Sequence, residues 1–289
     1  MINYSFIIPH KNTPDLLTRC IKSIPERDDI EILVIDDNST EKQKPIIERK
    51  NIILKYLDSS QSKGAGHARN IGIELARGEW LLFADADDTY TDLLSQLLDS
   101  LVSINEDVVY FNHYVINGNN KKSYLCNEQL KKISNDTLYD IKYGLTAPWN
   151  KVVRHSFLKK YDIRFEESPV GNDIMFTYQV AYLVRDNFRI IESSLYNYHT
   201  VVNSITHKKN CDENYYLTIL KHFYQCNTFL CFIGEKKRTR TLFSKMVAIM
   251  VKKGWSQFVL TLKVYMANKD DIKREKNYYI DVVQQRVNL

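Results

Sequence analysis

Trp80-Leu81-Leu82-Phe83-Ala84-Asp85-Ala86-Asp87-Asp88 begins as an apolar run of strand length and ends in three carboxylates within four positions. Continuous apolar runs mark strands buried on both faces of a parallel sheet, and ligands of open α/β sheets bind beyond the carboxyl ends of such strands. Carboxylates this close repel one another, and a divalent cation relieves that repulsion. Residues i and i+2 of an extended segment share a face, so Asp85 and Asp87 can reach one ion together. The same residues would also serve as a solvated acidic turn capping a helix from Thr91, and the rest of the chain must decide between the two readings.

The same pattern occurs upstream. Residues 5–8 read as a short first strand stopped by Pro9, and a polar loop, His10-Lys11-Asn12-Thr13-Pro14, leads into a helix whose stripe is Leu16, Leu17, Cys20, Ile21 and Ile24, ended by Pro25. A second strand, 30–35, again runs into acids and turn residues, Asp36-Asp37-Asn38-Ser39-Thr40. A helix-like stretch then leads to a third strand at 52–57. The glycine-bearing loop Ser62-Lys63-Gly64-Ala65-Gly66 opens a helix that ends at Arg77-Gly78. Strands alternating with helices imply right-handed βαβ units and a doubly wound, mostly parallel sheet, with both acidic strand ends and the glycine loop along one edge.

Later elements are less regular. Strands are expected at 107–111 and 151–153, a turn at 118–122 and a short helix at 155–160. Gly171-Asn172-Asp173 opens a further helix, which places Asp173 in its first turn, where the macrodipole favours an anion. A strand follows at 188–191, and Tyr198, His199 and Ser204 are candidates in the segment after it. From about residue 211 the pattern is helical. Two domains are therefore expected. Residues 1–208 form the first, with a division near 105, and residues 209–289 form a helical C-terminal extension.

Composition narrows the classes. With 44% hydrophobic and 26% charged residues the chain reads as an ordinary globular protein, and no window approaches the length of a membrane span. The N-terminus lacks the basic region and cleavage site of a signal peptide. Five cysteines without a Cys-X-X-Cys pair fit reduced thiols in a cytoplasm rather than a disulfide framework or a zinc site. From Lys236 to Lys269 there are nine Lys or Arg and no acid, while the whole chain carries +5, so the remainder is net acidic. With no recognition motif and an acidic main domain, nucleic-acid binding is not expected. The basic segment, with Phe243, Met246, Val247 and Met250 at helical spacing and an aromatic stretch at Trp255, instead suits an anionic membrane surface or plain packing with a solvated outer face.

The glycine loop lacks both the P-loop and the Gly-X-Gly-X-X-Gly spacing, which argues against an ATPase and a dinucleotide-dependent dehydrogenase. Acid-rich strand ends, basic residues Lys63 and Arg69 and a later helix-start carboxylate suit a metal-bridged diphosphate with a separate carboxylate left to accept a proton.

Five blocks in order carry a resemblance: Phe6-Ile7-Ile8-Pro9-His10-Lys11-Asn12, Ile35-Asp36-Asp37-Asn38-Ser39-Thr40, Gly64 to Gly72 with its Ala68-Arg69-Asn70, Phe83 to Asp88, and Ala147-Pro148-Trp149-Asn150-Lys151 together with Gly171-Asn172-Asp173. Over roughly residues 4 to 206 the chain resembles the family-two inverting glycosyltransferases of the GT-A fold, which implies a donor-binding half at 1–105 and an acceptor side at 106–208. His10 stands where the family more often has Tyr, Asn172 where it usually has Glu, and Thr40 and Glu41 near the place of the second block's last acid. The resemblance implies transfer of a sugar from a nucleotide diphosphate, most commonly a uridine diphosphate, to a hydroxyl of a glycan or lipid-linked acceptor in surface polysaccharide synthesis. It implies Asp173 as the catalytic base and Mn²⁺ or Mg²⁺ on Asp87 and Asp85, with His199 a further ligand. Pro9, His10, Asn12, Asp36, Asp37, Ser39, Lys63, Gly64, Arg69, Asp85 and Ala86 would bind the nucleotide, and Trp149, Asn150 and Asn172 would face the acceptor. Trp149 serves equally as core packing, Asp173 as a helix-start charge and His199 as a hydrogen-bonded structural histidine. The enzyme would work in the cytoplasm, on the inner face of the cell membrane. A nucleotidyltransferase and a catalytically silent scaffold of the same fold are the competing readings.

Overall fold

The computed structural model describes residues 1–47, 49–125, 132–168, 170–200 and 211–287. It divides into two compact units, Met1–Glu167 with Asn172–Thr200, and Ser168–Gly171 with Val201–Leu289.

The first unit is built on one mixed sheet. Its strands are β1 (Tyr4–His10), β2 (Ile30–Asp37), β3 (Ile52–Leu57), β4 (Trp80–Phe83), β5 (Thr89–Tyr90), β6 (Val108–Asn117), β7 (Asn120–Ser123), β8 (Lys151–Arg154) and β9 (Phe188–His199). They run in the order β3-β2-β1-β4-β8-β6-β9-β5, with β7 on β6. Strands β3, β2, β1 and β4 are parallel; β8 is antiparallel to both β4 and β6, and β9 pairs parallel with β6. This is the mostly parallel α/β sheet that the apolar runs predict. The strand order reverses at β1: β2 lies on one side of it and β4 on the other. Such a switch point opens a crevice at the carboxyl ends, which here means beyond His10 and Phe83.

The helices of this unit are α1 (Pro14–Lys22), α2 (Ala65–Leu75), α3 (Leu94–Leu101), α4 (Asn135–Tyr139), α5 (His155–Lys160) and α6 (Ile174–Leu183). Helix α2 presses onto β1 because Gly72 has no side chain: a Cβ there would stand 2.4 Å from Ile7 Cγ2. One core of Phe6, Ile8, Leu17, Ile32, Val34, Trp80, Leu82 and Leu98, all 2% exposed or less, fills the space against α1 and α3.

Several local expectations are corrected. Strand β1 continues through Pro9 to His10, because pairing with β4 has stopped at Ile7–Phe83 and the missing N–H of Pro9 breaks no bond there. The helix-like stretch before β3 is a single 3₁₀ turn, Glu41–Gln43, since Pro45 forces Lys44 into extended backbone. Helix α1 stops at Lys22, short of Pro25. The helix expected from Thr91 begins at Leu94, because Thr89 and Tyr90 are drawn into the sheet by β9. Strand β9 runs eight residues past Ile191 and carries Tyr196, Tyr198 and His199. Ser204 lies outside the described residues.

The second unit is helical: α7 (Glu213–Phe232), α8 (Leu242–Lys253), α9 (Trp255–Arg274) and α10 (Tyr278–Val287). Its core gathers Tyr216, Leu220, Met246, Ile249, Val264 and Ile272. Asp212 and Thr241 cap α7 and α8 by accepting from Tyr215 N and Ser244 N. The basic segment is thus two helices, parted at Gly254, whose φ of +94° suits only glycine. No described helix is long and apolar enough to cross a membrane.

Candidate active site

At the ends of β1 and β2 the polar residues bond one another. His10 Nδ1 lies 2.7 Å from Asp36 Oδ1, while His10 Nε2 accepts from Thr13 N at 3.1 Å. Because Nε2 is an acceptor, the ring proton sits on Nδ1 and donates to Asp36. Asp36 also accepts from Ser39 Oγ at 2.5 Å and from Ser39 N at 3.0 Å. Asn12 N donates to Ser39 Oγ at 2.8 Å, and Thr40 N donates to Asn12 Oδ1 at 2.9 Å. Asn12 and Asn38 hold φ of 57° and 60°, a region asparagine tolerates better than most residues. The two loops are thereby locked together. Pro9 lies at the inner end of this lattice, partly exposed. Asp37 accepts from Gly64 N at 3.3 Å and pairs with Lys11 Nζ at 3.3 Å, tying the glycine loop to the same edge. Lys63 turns instead to Glu167, 3.0 Å away.

One residue of α2 joins both halves of the unit. Arg69, 5% exposed, donates through Nη2 to Asp85 Oδ1 at 2.6 Å and through Nη1 to Asn172 Oδ1 at 3.0 Å. Asn70 makes a reciprocal pair with the backbone of Phe165, at 2.9 and 2.8 Å. Gly66 explains the close approach: a Cβ there would stand 2.1 Å from Glu166 O and 2.9 Å from Asn172 Cβ. Asp173 occupies the N-cap position of α6, but its side chain makes no capping hydrogen bond. Its carboxyl therefore remains available for other chemistry.

The acids beyond β4 differ in environment. Asp85 and Asp87 are partly exposed, with Ala86 buried between them. Burial, then the neighbouring charge of Asp85, raises Asp87 above its ordinary carboxyl range. The Asp87 carbonyl accepts from Arg19. Asp88, fully buried, accepts from His199 N at 2.7 Å and is pushed up to about 9, by burial first and by Asp85 next. Asp173 is raised by burial, and Arg69 opposes the rise.

An aromatic wall stands beside these acids. Trp149, 3% exposed, stacks on Tyr196 with centroids 4.5 Å apart and on Tyr198 at 5.7 Å, and its edge meets His113 at 4.7 Å. The Tyr196 hydroxyl accepts from Asp85 N at 3.0 Å, so the stack meets the acidic loop directly. Asn150 is buried, and its amide donates to Ile141 O at 3.4 Å. His199 Nε2 lies 3.2 Å from Thr89 Oγ1 because β5 pairs with β9 at this point. Among the described residues no three His, Cys, Asp or Glu side chains converge as a metal-binding group. Asp85, Asp87 and His199 are therefore not a preformed set.

Three residues beyond the sequence candidates belong to the neighbourhood. Lys151 is buried; its Nζ donates to Ala147 O at 2.7 Å and lies 3.5 Å from Thr177 Oγ1. Burial pushes this amine down to about 7, and the Asp173 carboxylate opposes that fall. Tyr196 and Asp88 complete the group. An apolar-flanked lysine directly after Trp149-Asn150 was the available signal for Lys151; the other two are placed by long-range pairing.

The comparisons agree with this architecture. The profile of Glycosyl transferase family 2 matches residues 5–162. Poly(ribitol-phosphate) beta-N-acetylglucosaminyltransferase TarS of Staphylococcus aureus is 29% identical over 212 residues, covering 69% of this chain and 36% of that protein. GalNAc(5)-diNAcBac-PP-undecaprenol beta-1,3-glucosyltransferase of Campylobacter jejuni is 30% identical over 183 residues, covering 60% and 58%. The chain thus spans little more than a third of the length of TarS. The crystal structure of S. aureus TarS 1–349 in complex with UDP-GlcNAc superposes with a TM-score of 0.62 at 19% identity, covering 99% of this chain and 83% of that one. At that identity the likeness speaks to fold.

Proposed function

Because the chain belongs to glycosyl transferase family 2, we propose that it moves a sugar from a uridine diphosphate sugar to a hydroxyl of a glycan or lipid-linked acceptor, with inversion at the anomeric carbon. The observation that carries the reading is the Arg69 fork, which holds Asp85 of the acidic loop and Asn172, next to Asp173, on one guanidinium. In this reading the fork ties the edge that would face a diphosphate to the residue beside the uncapped carboxylate, the juxtaposition that a displacement at carbon requires. The solved neighbour bound to UDP-GlcNAc and the relatives named for poly(ribitol phosphate) and undecaprenol-linked glycans support the donor and acceptor classes.

In this reading Asp173 takes the proton of the acceptor hydroxyl as that oxygen forms its bond to the anomeric carbon. The bond from that carbon to the diphosphate oxygen breaks on the opposite face, and its electron pair leaves with the nucleotide. Burial raises Asp173 above its ordinary carboxyl value, which makes it a stronger proton acceptor, and the Arg69 charge opposes part of that rise. The locked loops of His10, Asn12, Asp36, Ser39 and Gly64 shape the nucleoside end; Trp149, Asn150 and Tyr196 are buried as packing, which leaves Tyr198, the exposed end of the stack, to meet a sugar ring. Asp87 and Asp85 are oxygen donors whose mutual repulsion fits a hard cation, and Mn²⁺ or Mg²⁺ held there would neutralise charge on the leaving diphosphate. His199 is a less suitable ligand, since its ring meets Thr89. Reaction would take place in the cytoplasm, at the inner face of the membrane for a lipid-linked acceptor.

A panel of nucleotide sugars, assayed with Mn²⁺ by proton NMR of the newly formed anomeric centre, tests this. The expected product has the configuration opposite to the donor. Retained configuration, or binding of no nucleotide sugar, would overturn the proposal.

A further inference from the structure

Helix α9 carries apolar residues on two opposite faces. The inner face is accounted for: Val264 and Ile272 are 4% and 0% exposed and join the core of the helical unit, with buried Thr261 and Gln257 beside them. The outer face is not. Trp255, Leu262 and Met266 are 66%, 42% and 70% exposed. With Val259 they fall at i, i+4, i+7 and i+11, a single stripe along the helix. A helix that only packs within its own unit carries polar residues outward, and an exposed apolar stripe marks a partner surface. In α8 Phe243 and Val251, 78% and 77% exposed, add to the apolar area that this unit leaves uncovered.

The charge around the stripe specifies the partner. Residues 236–269 contain nine Lys or Arg and no acid, Lys252, Lys263 and Lys269 are exposed, and the exposed acids Asp270 and Asp271 follow only at the far end of the stripe. The partner must therefore be anionic over a broad area and also accept an indole, a leucine and a thioether. Lysines on flexible stems suit a diffuse layer of phosphates better than fixed carboxylates on a protein face. A bilayer leaflet of anionic phospholipid offers both chemistries at the right depth. We propose that α9 lies in the plane of an anionic membrane surface, with Trp255, Leu262 and Met266 at the acyl boundary and Lys252, Lys263 and Lys269 among the headgroups. The surface lies outside the residues matched by the family, so the proposal stands apart from the transfer reaction.

The chain supplies its own probe. Trp80 and Trp149 are 2% and 3% exposed, so externally induced changes in tryptophan emission report Trp255. The full chain is mixed with vesicles of brominated phosphatidylcholine, with and without phosphatidylglycerol. Quenching only with the anionic vesicles, reversed by high salt, is expected. Trp255→Ser combined with Met266→Ser should weaken sedimentation with anionic vesicles by about tenfold or more, with circular dichroism and nucleotide-sugar binding unchanged. If that pair fails to fold, Lys252→Glu with Lys263→Glu, both exposed, should give the same loss through charge. Absent quenching, equal binding to neutral vesicles or undiminished binding of the folded variants would overturn the proposal. So would self-association that the same substitutions abolish, which would assign the stripe to a second copy of the chain.

Discussion

Arg69 donates from Nη2 to Asp85 Oδ1 at 2.6 Å, and the remaining arm of the same guanidinium reaches Asn172 at 3.0 Å. Lysine has one nitrogen and cannot span both. Arg69→Lys should therefore keep the fold but weaken nucleoside diphosphate binding about tenfold or more, the scale of one lost charge-assisted bond. Titration calorimetry with uridine diphosphate measures it; unchanged affinity would show that the fork does not organise the donor side.

Asp173 makes no capping bond, so replacing it should cost chemistry rather than structure. Asp173→Asn is expected to bind donor as before and to lose about 10² or more in turnover, because proton acceptance matters only in the transition state. Near-normal turnover at saturating donor and acceptor would place the base elsewhere.

The third prediction concerns the cation. Asp87 is raised by burial and by Asp85, a repulsion that a bound divalent ion would relieve. Asp87→Asn should remove the Mn²⁺-dependent component of uridine diphosphate binding while leaving the thermal midpoint without ligand unchanged or higher. If the metal enhances binding equally in both proteins, Asp87 is not its ligand.

Lys151 and Asp173 act on each other by charge. The positive charge of Lys151 lowers Asp173, though burial dominates and the carboxyl remains above its ordinary value. Lys151→Met should move the acidic limb of the kcat/KM profile to higher pH, because Asp173 then holds its proton more tightly. A limb that stays put while activity falls would assign Lys151 to packing alone.

His113, 2% exposed between Tyr124 and Trp149, is pushed down to about 4 by burial. Folded, the ring is neutral; unfolded, it takes up a proton below its ordinary value of 6.5. Its contribution is therefore present above pH 6.5 and is lost as pH falls toward 4, at no more than about 1.4 kcal/mol per unit. Between pH 7 and 5 the native protein should lose up to about 2 kcal/mol more unfolding free energy than His113→Phe. Parallel curves from denaturant titrations would rule this out.

How much of this was legible before the structure depends on distance along the chain. The strand from Trp80 to Phe83 and its acids needed only the apolar run and the spacing of carboxylates, and the four parallel strands needed only alternation with helices. Asp173 was readable as a helix-start acid, although its freedom from capping was not. What sequence could not supply was pairing across a hundred residues. Strand β5 exists because β9 reaches Thr89, and that same pairing turns His199 toward Thr89. The Trp149–Tyr196–Tyr198 stack joins β9 to the turn entering β8 and has no local pattern at all. The stretch before β3 departs from its helical pattern because the restriction that Pro45 places on Lys44 outweighs propensity. In the basic segment, Gly254 divides one apparent helix into two, and Phe243 points outward where its spacing from Met246 suggested a shared face.

Gly66 sets a tolerance for the whole machine. The carbonyl of Glu166 occupies the space where any other residue at 66 would carry a methyl group. The helix bearing Arg69 and the loop leading to Asp173 therefore register against each other to within less than a carbon atom's width. A side chain at residue 66 would thicken that seam and part the two. A substitution at residue 66 therefore acts on the catalyst through the backbone it displaces, not through any group it adds to the acidic edge.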